Sequence, residues 1–277
     1  MSTPKKGEHR LSEMLSEHSS LETKANASRW YVEMMIDLFL SKELKVSLSE
    51  QEFKKLRLND KIEKIKQYYD KDIIDTLYLI KSVGDKGSHY SSDTTLNKKE
   101  IDTIVNKATN LFTLILIDHI RKVPLEKTFN RAVIFSTLLP SIRENVLYSL
   151  INFKQIKTEK DYALLDKYIL ACTKNNRINH ITKKLKELNK NNIIDSVFYN
   201  FQLKSIKAIE EGMKKNELPI PKNMKDCKRN LNSVINKLDQ NEINDNQELI
   251  DIMNILLENV QPSKIESFKE NQVYVIT

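Results

Sequence analysis

The sequence predicts an all-α protein. Three observations point there. The 277 residues include four glycines and six prolines, too few for the turn chemistry of a β-rich chain. Apolar residues recur at three- and four-residue steps along most of the length, the period of a helix with one buried face. Asparagine-rich links and isolated prolines (Pro140, Pro219, Pro221, Pro262) mark where that period stops and restarts.

Taken in order, residues 1–20 are polar and mixed in charge, and they read as a flexible arm with His9 and His18 solvated. Residues 23–41 read as a helix with Ala27, Trp30, Tyr31, Met34, Leu38 and Phe39 on its apolar face, and Trp30 is expected to anchor the core. A short helix is expected over 50–56. Another follows, capped by Asn59 or Asp60, with Ile62, Ile65 and Tyr69 on one face. The next runs from Asp72 to Val83, placing Lys81 near a C-terminal end where a cation offsets the helix dipole. Asn97 and Glu100 then open a long helix reaching about Lys122, with His119 late in it as a buried or dipole-assisted residue.

Val123-Pro124 breaks the pattern and is read as a domain boundary. Helices are expected over about 125–138, 141–151, 159–174, 176–190, 192–215, 223–238 and 247–260, forming a second helical domain over 125–277. The final six residues, 272–277, are β-prone.

Composition excludes several classes. The net charge of +7 admits an anionic partner, but acidic residues are interspersed nearly everywhere. Cys172 and Cys227 stand alone, so neither a zinc site nor a disulfide framework is indicated. There is no Walker loop, no dinucleotide fingerprint and no H-E-x-x-H, and no cofactor or metal is implied. No apolar stretch in residues 1–20 resembles a secretory leader. No apolar run reaches the ~18 residues a membrane span needs. A soluble, cytoplasmic protein with no membrane partner is the expectation. The lysine strings at Lys183, Lys184 and Lys186 and from Lys222 to Arg229 are expected to be solvated faces.

The stretch Ile80-Lys81-Ser82-Val83-Gly84-Asp85-Lys86-Gly87-Ser88-His89-Tyr90 concentrates what chemistry the chain offers. Two of the four glycines stand here, and glycine tolerates positive φ and close backbone approach. A helix ending at Gly84 and resuming after His89 would fix the imidazole at a corner. The alternative is an ordinary helix C-cap followed by a loop with a solvated histidine.

Together with Ala27, Arg29 and Glu33, this stretch resembles one branch of the HEPN superfamily, the higher eukaryote and prokaryote nucleotide-binding domain. That branch carries small-x-Arg-x-x-x-Glu on an early helix and, about fifty residues on, Ile-Arg-x-Ile-Gly-Asn-x-x-Ala-His. Ile80, Val83, Gly84, Ser88 and His89 match the second pattern. The resemblance covers residues 21–122 and implies a four- or five-helix bundle that dimerises, in a bacterial defence protein. Active members are metal-independent ribonucleases with an Arg-x4–6-His motif. In that chemistry His89 would take the proton of a ribose 2′-hydroxyl, Lys81 would contact the phosphate, and Asp85 or Tyr90 would orient. The chain departs from the pattern at Lys81, which replaces an arginine and lacks its planar fork. It departs again at Asp85, which replaces an asparagine, and in the longer Lys81–His89 spacing. The expected function is a defence-type homodimer that binds or cleaves RNA or another nucleic acid. The alternative is a non-catalytic scaffold or partner-binding subunit of a defence or restriction complex.

Overall fold

The computed structural model describes residues 7–42, 44, 48–88, 96–258 and 260–262. Among the described residues there are thirteen α-helices and no strand, as the glycine scarcity and helical period predict. The β-prone segment 272–277 lies outside the described residues. The chain divides into two compact units, 1–124 with 248–259 and 125–247 with 260–277. Residues 248–259, expected in the C-terminal domain, therefore pack with the first unit.

The first unit contains α1 (Glu8–Leu15), α2 (Leu21–Met35), α3 (Glu50–Lys55), α4 (Leu58–Ile65), α5 (Lys71–Ser88) and α6 (Lys98–Lys122). A π-helical turn, Ile36–Leu40, extends α2. Side chains supply partners for the otherwise orphaned first-turn N–H groups. Ser20 accepts from the Thr23 N–H, Asn97 accepts from the Glu100 N–H at 3.1 Å, and Ser49 with Glu52 forms a capping box. Helix α4 begins after Arg57, two residues ahead of the expected Asn59 cap, and Arg57 provides no side-chain cap.

Helices α2, α5 and α6 each pack on the other two. Their buried faces carry Ala27, Tyr31, Val32 and Met35 from α2, Ile73, Leu77 and Ile80 from α5, and Ile104, Leu111 and Phe112 from α6. Each large apolar side chain removed from water contributes about 1.5–3 kcal/mol. Phe39 meets Phe112 edge-on at 5.5 Å between ring centroids. A polar clamp ties the start of α5 to the end of α6. Asp118 is 3% exposed; it accepts from the Asp70 N–H at 3.0 Å and from Lys122 at 2.6 Å. Asp70 in turn pairs with Arg121 at 2.6 Å.

Three expectations are corrected here. Residues 8–15 do not fray, because Met14 is buried and α1 packs along α2. Trp30 is half-buried, with the Arg10 guanidinium 5.4 Å from its ring centroid. Tyr31, next in sequence and fully buried, takes the core position instead. Most consequentially, α5 does not stop at Gly84. It runs through Gly84 and Gly87 to Ser88, and neither glycine has positive φ.

Those glycines serve close approach. A Cβ on Gly84 would lie 2.5 Å from Arg29 Cβ, and one on Gly87 would lie 2.7 Å from Ala25 Cβ. Both distances are shorter than real side chains tolerate, and the opposing atoms sit at the base of their side chains.

The second unit contains a 3-10 turn at Leu125–Lys127, then α7 (Phe129–Ser136), α8 (Pro140–Leu150), α9 (Glu159–Lys174), α10 (Ile178–Lys190), α11 (Ser196–Lys214) and α12 (Met224–Ile235), with the first part of α13 (Gln240–Leu256). Three successive helices end the same way. Asn176, Asn192 and Asn216 take positive φ of 59°, 53° and 54° after α9, α10 and α11. In each case the following N–H reaches back five residues: Arg177 to Cys172 at 2.9 Å, Ile193 to Leu188 at 3.0 Å and Glu217 to Gly212 at 2.9 Å. This is the Schellman closure, with asparagine where glycine is usual. The asparagine-rich links thus have a backbone reason, and a chain with four glycines still terminates its helices cleanly.

Gly84→Ala and Gly87→Ala test the close approach. At an open helical site each substitution would stabilise by about 1 kcal/mol. Here each is expected to destabilise by about 1–3 kcal/mol through overpacking, read as a lower urea midpoint with unchanged slope.

Candidate functional site

The glycine contacts set the geometry of the site. Helices α2 and α5 run antiparallel where they touch, Arg29 facing Gly84 and Ala25 facing Gly87. The Asn26 side-chain amide donates to the Gly87 carbonyl at 3.2 Å, a bond between the two helices. With no side chain at Gly84, Asp85 comes within reach of α2. Arg29 Nε donates to Asp85 Oδ1 at 2.8 Å, and Lys81 Nζ donates to Asp85 Oδ2 at 2.7 Å. One carboxylate thus holds two cations, one from its own helix and one from the neighbour. The three side chains are 35%, 31% and 23% exposed for Arg29, Asp85 and Lys81.

Burial by itself would push the Asp85 carboxyl up. The hydrogen bonds and charges of Lys81 and Arg29 together outweigh it and hold the carboxyl below its usual range. Lys81 stands about two turns before the end of α5, so its partner is Asp85 rather than the helix terminus. A phosphate arriving here would compete with Asp85 for both cations.

Glu33, the other acidic residue of the α2 pattern, belongs to a different cluster. Lys61, whose side chain is 4% exposed, donates to Asp37 at 2.8 Å and to Glu33 at 3.4 Å. Its ammonium also stands 4.8 Å from the Phe53 ring centroid. A lysine this buried requires such partners, so Glu33 and Asp37 carry a structural duty. Ser88 ends α5. His89 and Tyr90 lie outside the described residues. His119 is buried in α6. The thiols of Cys172 and Cys227 are both pushed up to about 12 by burial, which leaves them protonated and poor nucleophiles.

Among the described residues no group of three His, Cys, Asp or Glu side chains is placed to hold a metal ion. No described helix is long and apolar enough to cross a membrane. Comparison with protein-family models, with curated proteins and with solved structures finds no match to this chain.

Sequence reasoning singled out Arg29, Lys81, Gly84, Asp85 and Gly87, and the structure brings these five together. It did not find Ala25 or Asn26, nor the role of Asp85 as the shared acceptor. A signal was present: glycines three apart share one face of a helix, a spacing suited to helix packing as much as to a break.

The pH dependence of stability tests the Asp85 pairings. An unfolded aspartate titrates near about 3.9, and the folded carboxyl titrates lower. Its stabilising contribution is therefore complete above the unfolded value and is lost as pH falls through the folded one. Asp85→Asn lacks that contribution. The stability difference between wild type and Asp85→Asn, from urea unfolding at a series of pH values, is expected to be largest near neutrality and to shrink below about pH 4.

Proposed function

We propose that residues 21–122 form a HEPN-like bundle of a bacterial defence-type protein, which dimerises and binds or cleaves RNA, with Arg29 and Lys81 as the phosphate-contacting cations and His89 as the base. The observation that supports this reading is the meeting of Arg29 with Gly84 and Asp85. The resemblance rests on two short patterns about fifty residues apart in sequence, and these patterns pack against each other. Chance matches on two helices have no reason to share a contact face.

The catalytic form of this reading is metal-independent cleavage. His89 removes the 2′-hydroxyl proton, the oxygen attacks the adjacent phosphorus, and the bond to the 5′-oxygen breaks as that oxygen takes a proton from water, giving a 2′,3′-cyclic phosphate and a 5′-hydroxyl. Lys81 contributes a positive charge to the phosphate, and Tyr90 orients. Arg29 shares the Asp85 carboxylate with Lys81, and its guanidinium supplies the planar two-bond geometry that Lys81 lacks.

A second reading has its own support. Asp85 engages both cations, and a site whose cations already share an internal acceptor suits a non-catalytic scaffold or partner-binding subunit. The two readings separate on the behaviour of Asp85. In the RNA reading, Asp85→Asn releases Lys81 and Arg29, and affinity for single-stranded RNA rises several-fold with a steeper salt dependence.

The experiment combines fluorescence anisotropy with a cleavage assay on total RNA in chelator. Wild type and Lys81→Arg are expected to cut and leave cyclic phosphate ends, while His89→Ala binds RNA normally and does not cut. Light scattering at tens of micromolar is expected to give twice the chain mass. If wild type, Lys81→Arg and Asp85→Asn all fail to bind or cut RNA, the scaffold reading takes over.

A further inference from the structure

We propose that the second unit binds single-stranded nucleic acid, with a base stacked on the exposed ring of Tyr148 and phosphates held by the lysines of the two segments beside it. The proposal does not rest on the function read at the α2–α5 cluster.

Three rings from three stretches of chain meet here. Tyr148 of α8 stands 5.3 Å from Phe153 of the α8–α9 link and 6.0 Å from Tyr168 of α9, and Phe153 stands 5.5 Å from Tyr168, all between centroids. The pairs are tilted or edge-on, the favourable arrangements for aromatic rings. Helix α10 adds two side chains one turn apart on the same face. His180 Nε2 lies 3.3 Å from the Tyr168 hydroxyl, and the Lys184 ammonium lies 5.0 Å from the Phe153 centroid. Exposure is graded across the cluster. Tyr168 is 1% exposed, Phe153 is half-buried, and Tyr148 is 55% exposed. Tyr148 is thus held against two better-buried rings and still open to solvent. A ring ordered in advance loses little conformational freedom when a flat ligand covers it.

Charge selects the ligand. Phe153 already carries the Lys184 ammonium, so a cationic guest would meet a like charge. Residues 152–160 and 178–190, which supply Phe153 and the α10 side chains, together carry seven lysines against two glutamates. Lys154, Lys157, Lys160, Lys183, Lys186 and Lys190 are exposed. Of the acids nearby, Glu187 stands 3.4 Å from Lys184, and the buried Glu144 pairs with Arg177. The even mixing of charge along most of the chain breaks down in these two segments.

An open aromatic ring beside dispersed positive charge fits single-stranded nucleic acid. Any base presents a face that can stack, and lysines follow the phosphates. Stacking of one base is worth about ten-fold in affinity, too little to hold a free nucleotide, so the ligand is a polymer that reaches both basic segments. A duplex covers its base faces with neighbouring bases, which leaves the unpaired strand.

The test is fluorescence anisotropy of the full chain with a labelled oligothymidine, and with an abasic oligomer of the same phosphate count. DNA lacks the 2′-hydroxyl, so the measurement is independent of any cleavage at the α2–α5 cluster. Wild type is expected to bind the intact oligomer about ten-fold more tightly than the abasic one. Tyr148→Ala is expected to lose that preference and Tyr148→Trp to keep it. Lys154→Gln with Lys186→Gln is expected to keep the preference while flattening the salt dependence. Asp85→Asn, which acts on the other unit, is expected to leave the ratio of intact to abasic affinity unchanged. Tyr148 is on the surface, so its variants are expected to fold, and the wild-type comparison of the two oligomers stands without them. Equal binding of intact and abasic oligomers by wild type, or an undiminished preference in Tyr148→Ala, would overturn the proposal. Absence of saturable binding to either oligomer would also overturn it and leave the exposed ring to a protein partner.

Discussion

The close approach of α2 and α5 is the constraint on which the first unit depends. Two missing Cβ atoms, at Gly84 and Gly87, let the backbones meet at Ala25 and Arg29. The cost is borne by α5, since each glycine weakens a helix interior by about 1 kcal/mol relative to alanine. The return is a tight seam. It buries Ala25 and Val83, admits the Asn26–Gly87 bond and carries Asp85 to Arg29. A bulkier residue at either position would separate the helices and the charges together, so packing and electrostatics here share one cause.

Polar groups drawn into the first unit follow a common rule of compensation. Lys61 is buried between Asp37 and Glu33 and Asp118 between Lys122 and the Asp70 backbone, while the half-buried Asp85 is held between Lys81 and Arg29. Removing one member of such a group leaves the other without solvent or counter-charge, which is why such pairs resist single substitutions. The second unit obeys the rule at Glu144 with Arg177 and departs from it at Arg143. A buried guanidinium nitrogen without a partner is more informative than the net charge of +7. The total averages over solvated lysines, whereas the buried cation is specific to one place.

The sequence by itself determined the helical class and most of the helices. The reason is that both signals are local: the apolar period and the caps act within one or two turns. Thr158 with Asp161 and Ser49 with Glu52 close their capping boxes, and α9 begins and ends at the expected residues. Only the tertiary structure decided what the glycines do. Within one segment, Gly84 and Gly87 are equally consistent with a helix end and with a helix face pressed on a neighbour; the partner residues, Ala25 and Arg29, lie more than fifty positions away. Trp30 and Tyr31 were likewise indistinguishable by period, and the placement of Arg10 over one ring resolved them. The same limit hid the unpaired Arg143. Its neighbour Glu144 suggests a counter-charge in sequence, yet the i and i+1 side chains of a helix point apart, and Glu144 found Arg177 instead. Charge pairing is settled by distances across the fold, and no local pattern of residues encodes them.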